Sequence, residues 1–163
     1  IKIIENLFNL MKKFKIAIIG AGFVTQNAHL PSLYYDKRVE IVALCDLDND
    51  LLQKVSKKYQ IKKTFTDYKK MINSEKIDAI VLSVQRFKTS GIAEYILKKK
   101  IPLLSEKPAA LNFKEAKKLS NLSKKNNTKY VIGYMKRCDN GVVYLKKYLD
   151  KLNIGNLKTV YYE

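Results

Sequence analysis

"KIAIIGAGFVTQNAHLP", Lys15 to Pro31, sets an apolar run directly before two glycines and then before residues patterned like the start of a helix. A strand that ends in Gly20-Ala21-Gly22 brings backbone N–H groups close to a phosphate lying over the turn, and the helix after it adds positive potential at its first residues. Asp46 ends the next apolar run, "VEIVALCD" (39–46). In a dinucleotide-binding βαβ unit the first glycine makes the tight turn and the second leaves room for the pyrophosphate. An acidic residue at the end of the second strand then accepts hydrogen bonds from the adenosine ribose. Gly20, Gly22 and Asp46 match those three roles, and Phe23 and Val24, next on the turn, are expected against the same ligand. Thr25 stands where a third glycine is usual, so helix and strand must pack around a β-branched side chain. Asp46 is followed by Leu47, Asp48, Asn49 and Asp50, with no basic residue before Lys54. A 2′-phosphate would meet negative charge there, which favours NAD over NADP as cofactor.

Working outward, apolar and amphipathic runs alternate from Phe14 to Met135, the pattern of a parallel sheet wrapped by helices. The strand-like runs are "FKIAIIG", "VEIVALCD", "KKTFT", "DAIVLSV", "IPLLSE" and "KYVIGYM", several of them continuous in Ile and Val, as strands covered on both faces are. Leu51, Leu52, Val55 and Tyr59 in "DNDLLQKVSKKYQ", and Phe113, Ala116, Leu119 and Leu122 in "NFKEAKKLSNLSKKNN", fall at helical spacing. Asn112 with Glu115 approximates a capping box, and Asp67 precedes "YKKMI" as a cap would. The fold expected is a doubly wound parallel α/β sheet over residues 14–136. Residues 1–13 read as an amino-terminal extension, with Met11 a natural start, and 137–163 as the beginning of a second α/β domain: a helix in "DNGVVYLKKYLDKL" and a strand-like "NLKTVYYE".

A formal charge of +17 raises the question of nucleic acid, but the only arginines are Arg38, Arg86 and Arg137, and the lysines come as scattered pairs and triplets. The interleaved arginine and aromatic residues that read or stack on bases are missing, so no nucleic-acid partner is expected. No apolar run approaches the roughly 20 residues of a spanning helix, so no membrane partner is expected either. Cys45 and Cys138 have no metal-ligand spacing, and no metal is expected; two isolated cysteines suit a reducing, cytoplasmic setting. His29, the sole histidine, lies two residues before Pro31 and reads as a group satisfying carbonyls near a helix end rather than as a general base. Glu106-Lys107-Pro108 follows the strand "IPLLS" and so falls at the carboxyl edge of the sheet, where open α/β folds bind ligands. A lysine placed there can exchange a proton with a substrate hydroxyl.

The combination of "GAGFVTQNAHLP", "ALCDLD", "SEKPAALN" and "GYMKRCDNGV", in this order, resembles the amino-terminal half of the Gfo/Idh/MocA family of NAD(P)-dependent sugar and polyol dehydrogenases. The resemblance covers nearly everything from Lys13 to Glu163. It implies that Lys107 is the catalytic or substrate-binding lysine, that Glu106 lies by the nicotinamide ribose, and that Arg137 lies near cofactor and substrate. It also places Ser83 and Gln85 beside the cofactor, although the family usually has a Thr-Pro-Asn-like segment there and a histidine near Thr89. The implied function is hydride transfer between nicotinamide and a carbinol carbon of a small sugar-like molecule, in a full-length form that is a homo-oligomer. The family continues into a second domain that completes the substrate pocket, and little of it stands before Glu163. This chain is therefore expected to bind cofactor without turnover. The alternative is a catalytically silent nucleotide-binding fragment.

Overall fold

Side chains alternate along a strand, and in β1 (Phe14–Ile19) that alternation divides the core in two. Ile16 and Ile18 face one helix layer, with Leu30, Leu52, Val55 and Tyr59, while Ala17 and Ile19 face the other, with Met71, Ala93, Ile96 and Leu97. The computed structural model describes residues 12–152 and Gly155; the apolar stretch 1–10 and the strand-like "NLKTVYYE" lie outside the described residues. Two compact units divide the chain, one running to Gly133 and one starting at Tyr134.

In the first unit the strands β1, β2 (Val39–Cys45), β3 (Thr64–Phe65), β4 (Ala79–Leu82), β5 (Leu103–Ser105) and β6 (Tyr130–Ile132) form one sheet in the order β3-β2-β1-β4-β5-β6. All neighbours are parallel. β1 therefore pairs with both β2 and β4, and the chain winds outward in opposite directions from that point. The carboxyl ends of β1 and β4 leave a crevice there, because the connections from the two strands leave to opposite faces.

Between the strands lie a π-helical turn (Thr25–His29) that continues into α1 (Leu30–Tyr34), α2 (Asn49–Lys58), α3 (Tyr68–Ser74), α4 (Arg86–Lys98) and α5 (Phe113–Lys125). Their starts are set by the side chains that the sequence pattern marks. Asp48 accepts from Leu51 N at 3.0 Å, Asp67 from Lys69 N at 2.7 Å, and Asn112 from Glu115 N at 3.0 Å. The Asn112–Glu115 box closes differently from the usual one: the Asn112 amide donates directly to Glu115 Oε1 at 3.0 Å. Phe113, expected on the packed face of α5, is 81% exposed, since it occupies the first helical position before the stripe through Leu119 reaches the sheet. The second unit, by itself, is a 3-10 turn (Met135–Cys138) followed by α6 (Asn140–Leu149), capped by Asp139 through Gly141 N at 3.0 Å.

Candidate dinucleotide site

At the crevice, a cavity of about 990 Å³ opens over the ends of β1, β2 and β4. The two glycines of the first loop play different parts in it. Gly20 has φ +97°, and a Cβ there would overlap the Ser83 carbonyl oxygen and sit 2.7 Å from the Ser83 carbonyl carbon. The segments that leave β1 and β4 are held together here, with Ser83 N donating to Ile19 O at 2.8 Å. At Gly22 a Cβ would meet nothing within 4 Å, and Gly22 lines the cavity, so the space that a side chain would fill is kept open.

Asp46 closes the other side. Its Oδ2 accepts from Ala21 N, in the glycine loop, at 2.6 Å, and its Oδ1 accepts from Asp48 N at 3.0 Å. An ionised carboxylate offers about four acceptor positions, so these two bonds fix its orientation and leave lone pairs for two more donors. Asp48 is itself exposed and caps α2. Cys45, next to Asp46, is a buried thiol whose pKa is pushed up to about 12 by burial and then by the nearby charges of Asp46 and Asp67.

Thr25, in the place of the third glycine, is fully buried, and its hydroxyl donates to Gly20 O at 2.7 Å. The β-branched side chain thus ties the helix back to the turn. The next turn is wide, with Leu30 N bonded to Thr25 O, five residues back. A π turn inserts one residue into the α ladder and rotates the residues after it by about 100°. His29, at the end of that turn, meets Glu106 rather than a helix carbonyl: Nε2 lies 3.0 Å from Oε1, with both side chains largely shielded, at 16% and 15% exposure.

Seven of the residues singled out in the sequence, Gly20, Gly22, Phe23, Val24, Asp46, Ser83 and Gln85, line one cavity. Glu106 and Lys107 are not in its lining; they come after β5 further along the same sheet edge, beside His29, and Lys107 is exposed. The Lys107–Pro108 peptide is cis. Arg137 belongs to the second unit, exposed in the 3-10 turn. The sequence reading misses Leu47, Thr66, Tyr68, Phe87 and Lys88, which also line the cavity. Phe87 and Lys88 could be found from their position just past β4, at the start of the helix that leaves the crevice.

Residues 14–134 match the model of an oxidoreductase family described as having an NAD-binding Rossmann fold, the Gfo/Idh/MocA family. The chain belongs to that family. Inositol 2-dehydrogenase of Salmonella typhimurium is 30% identical over 144 residues, which are 86% of this chain and 43% of that protein. The crystal structure of myo-inositol 2-dehydrogenase from Lactobacillus plantarum superposes with a TM-score of 0.82 at 31% identity, over 88% of this chain and 43% of that one. The scyllo-inositol dehydrogenase of Lactobacillus casei, solved with NAD(H) and scyllo-inositol, shares the fold, with a TM-score of 0.81 at 23% identity, covering 89% of this chain and 43% of its own. The chain thus spans less than half the length of these relatives, over the part that carries the family's dinucleotide-binding fold. Among the described residues no helix is long and apolar enough to cross a membrane.

Proposed function

We propose that this chain is the dinucleotide-binding part of a dehydrogenase that moves a hydride between nicotinamide and a carbinol carbon of a sugar or polyol, with NAD preferred over NADP. The observation that carries the reading is the Asp46 carboxylate, locked to Ala21 N at 2.6 Å across a cavity in which Gly22 leaves open space. In the proposed arrangement the pyrophosphate lies over Gly20, Gly22, Phe23 and Val24, the adenosine ribose donates to the free lone pairs of Asp46, and Ser83 and Gln85 border the path toward nicotinamide.

Glu106 and Lys107 then serve the nicotinamide end. When bound, nicotinamide supplies the hydride acceptor; Lys107 exchanges the proton of the substrate hydroxyl, so that the C–H leaves as hydride and the O–H as proton. Inositols are the first substrates to try, since the inositol dehydrogenases among the relatives are named for them. The rate, read as NADH formation in the form of the protein that turns substrate over, is expected to fall about a hundredfold or more in Lys107→Ala.

Calorimetric titration with NAD and NADP tests the site itself. A 2′-phosphate brought to about 4 Å from a carboxylate costs about 1 kcal/mol in water and about 4 at the effective dielectric of a protein surface. NAD is therefore expected to bind at least about fivefold more tightly. Equal or tighter binding of NADP would overturn the assignment of Asp46, and binding of neither would overturn the reading as a whole.

A further inference from the structure

We propose that His29 is a positioning residue for Glu106, holding that carboxylate at the nicotinamide end of the dinucleotide site; this rests on the function proposed for the chain. The pair joins two elements far apart in sequence, the π turn after β1 and the loop after β5, through a 3.0 Å contact between His29 Nε2 and Glu106 Oε1. An ionised carboxylate can only accept, so the proton of the imidazole sits on Nε2. Among the described residues the other carboxylate oxygen, Oε2, has one long contact, 3.3 Å, from the backbone N–H of Lys107. On the remaining side β6 makes room. A Cβ at Gly133 would lie 3.2 Å from Oε1, closer than most side chains approach, and 3.5 Å from the carboxyl carbon.

The direction in which Glu106 points is therefore set by His29, and the direction in which His29 points is set by the π turn. With an ordinary α turn the histidine would be rotated by about 100°, away from this contact. Replacing His29 with an apolar side chain leaves a largely shielded carboxylate without its strong partner, and it turns toward water. The cost should appear only for ligands long enough to reach Glu106. ADP, which carries the adenosine ribose and two phosphates, does not; NAD does.

The experiment compares the parent with His29→Leu and His29→Gln, by calorimetry with ADP and with NAD and by thermal melting. His29→Leu is expected to weaken NAD about tenfold or more, the share of one hydrogen bond to a charged group, while ADP affinity stays within about twofold. His29→Gln, whose amide can still donate, is expected to restore most of the NAD affinity. As the sole histidine, His29 also gives an unambiguous nitrogen NMR signature, expected to be the Nε2–H tautomer in the neutral ring, with an Nε2–H resonance that loses its hydrogen-bonded shift in Glu106→Leu. Unchanged NAD affinity in His29→Leu would overturn the proposal, as would an equal loss for ADP and NAD or an Nδ1–H tautomer in the parent. Failure of the parent to bind NAD would instead overturn the dinucleotide reading on which it stands.

Discussion

Gly20 and Gly22 stand two residues apart and should fail in opposite ways when changed. Ala at position 20 would put an L residue at φ +97°, a strain of about 1–3 kcal/mol, and drive a methyl into the Ser83 carbonyl. Moving β1 and β4 apart to relieve that overlap costs about 1–3 kcal/mol more. A sum near 4 kcal/mol, in a chain of this size, lowers the melting temperature by about 8–16 °C. At position 22 an added Cβ meets nothing within 4 Å, so in Gly22→Val the melting temperature should stay within about 2 °C. The isopropyl group, however, fills the space through which a pyrophosphate would approach the backbone, and NAD binding should fall below detection. Thermal melts by circular dichroism beside calorimetric titration separate the two effects. A Gly20→Ala protein that melts like the parent would show that the approach of the turn to Ser83 is not tight. A Gly22→Val protein that binds NAD like the parent would show that the glycines make a turn and nothing more.

Three further outcomes are expected. Asp46→Ser removes the charge facing a 2′-phosphate, so the ratio of NAD to NADP affinity should fall about fivefold or more, read by the same titrations. Thr25→Val keeps the shape but leaves the Gly20 carbonyl without its 2.7 Å donor, which should cost about 1–3 kcal/mol in urea unfolding. Cys45, with its pKa near 12, is at pH 8 about one part in ten thousand thiolate, so in the native protein a disulfide reagent should modify the exposed Cys138 quickly and Cys45 only on unfolding. Rapid modification of both in the folded state would contradict the burial of Cys45.

The order of elements in the first unit is legible because parallel strands covered on both sides tend to run continuously apolar, several of them here in Ile and Val, and all six strand-like runs are strands, trimmed at their ends where pairing stops. The "KKTFT" run shrinks to Thr64–Phe65 because β3 is an edge strand with a neighbour on one side only. α4 is harder to read. Its buried Thr89, Ala93, Ile96 and Leu97 are joined by Ile92 and Tyr95, also packed against the core, so apolar residues spread around much of the helix and no clean stripe stands out.

The site separates along the same lines. Its adenosine half is written in short local motifs, a glycine loop and an acid at a strand end, whose chemistry comes from the turn that they make. The end proposed for nicotinamide brings together three residues that no local pattern connects: His29 on a π turn, Glu106 after β5 and Gly133 after β6. Taken alone, each has an ordinary explanation, a helix-end histidine, a solvated glutamate and a turn glycine. The phase of the helix after Thr25 joins them. Its buried hydroxyl holds the helix start to the Gly20 carbonyl, and the Leu30 N–H reaches back five residues to the Thr25 carbonyl. The departure from the glycine fingerprint and the placement of the histidine are then two consequences of one local arrangement, so Thr25→Gly, which restores the third glycine, should loosen the His29–Glu106 contact as well as the turn. A nitrogen NMR spectrum of His29 unchanged in Thr25→Gly would separate the two and leave the π turn to be explained by the packing of Leu30 alone.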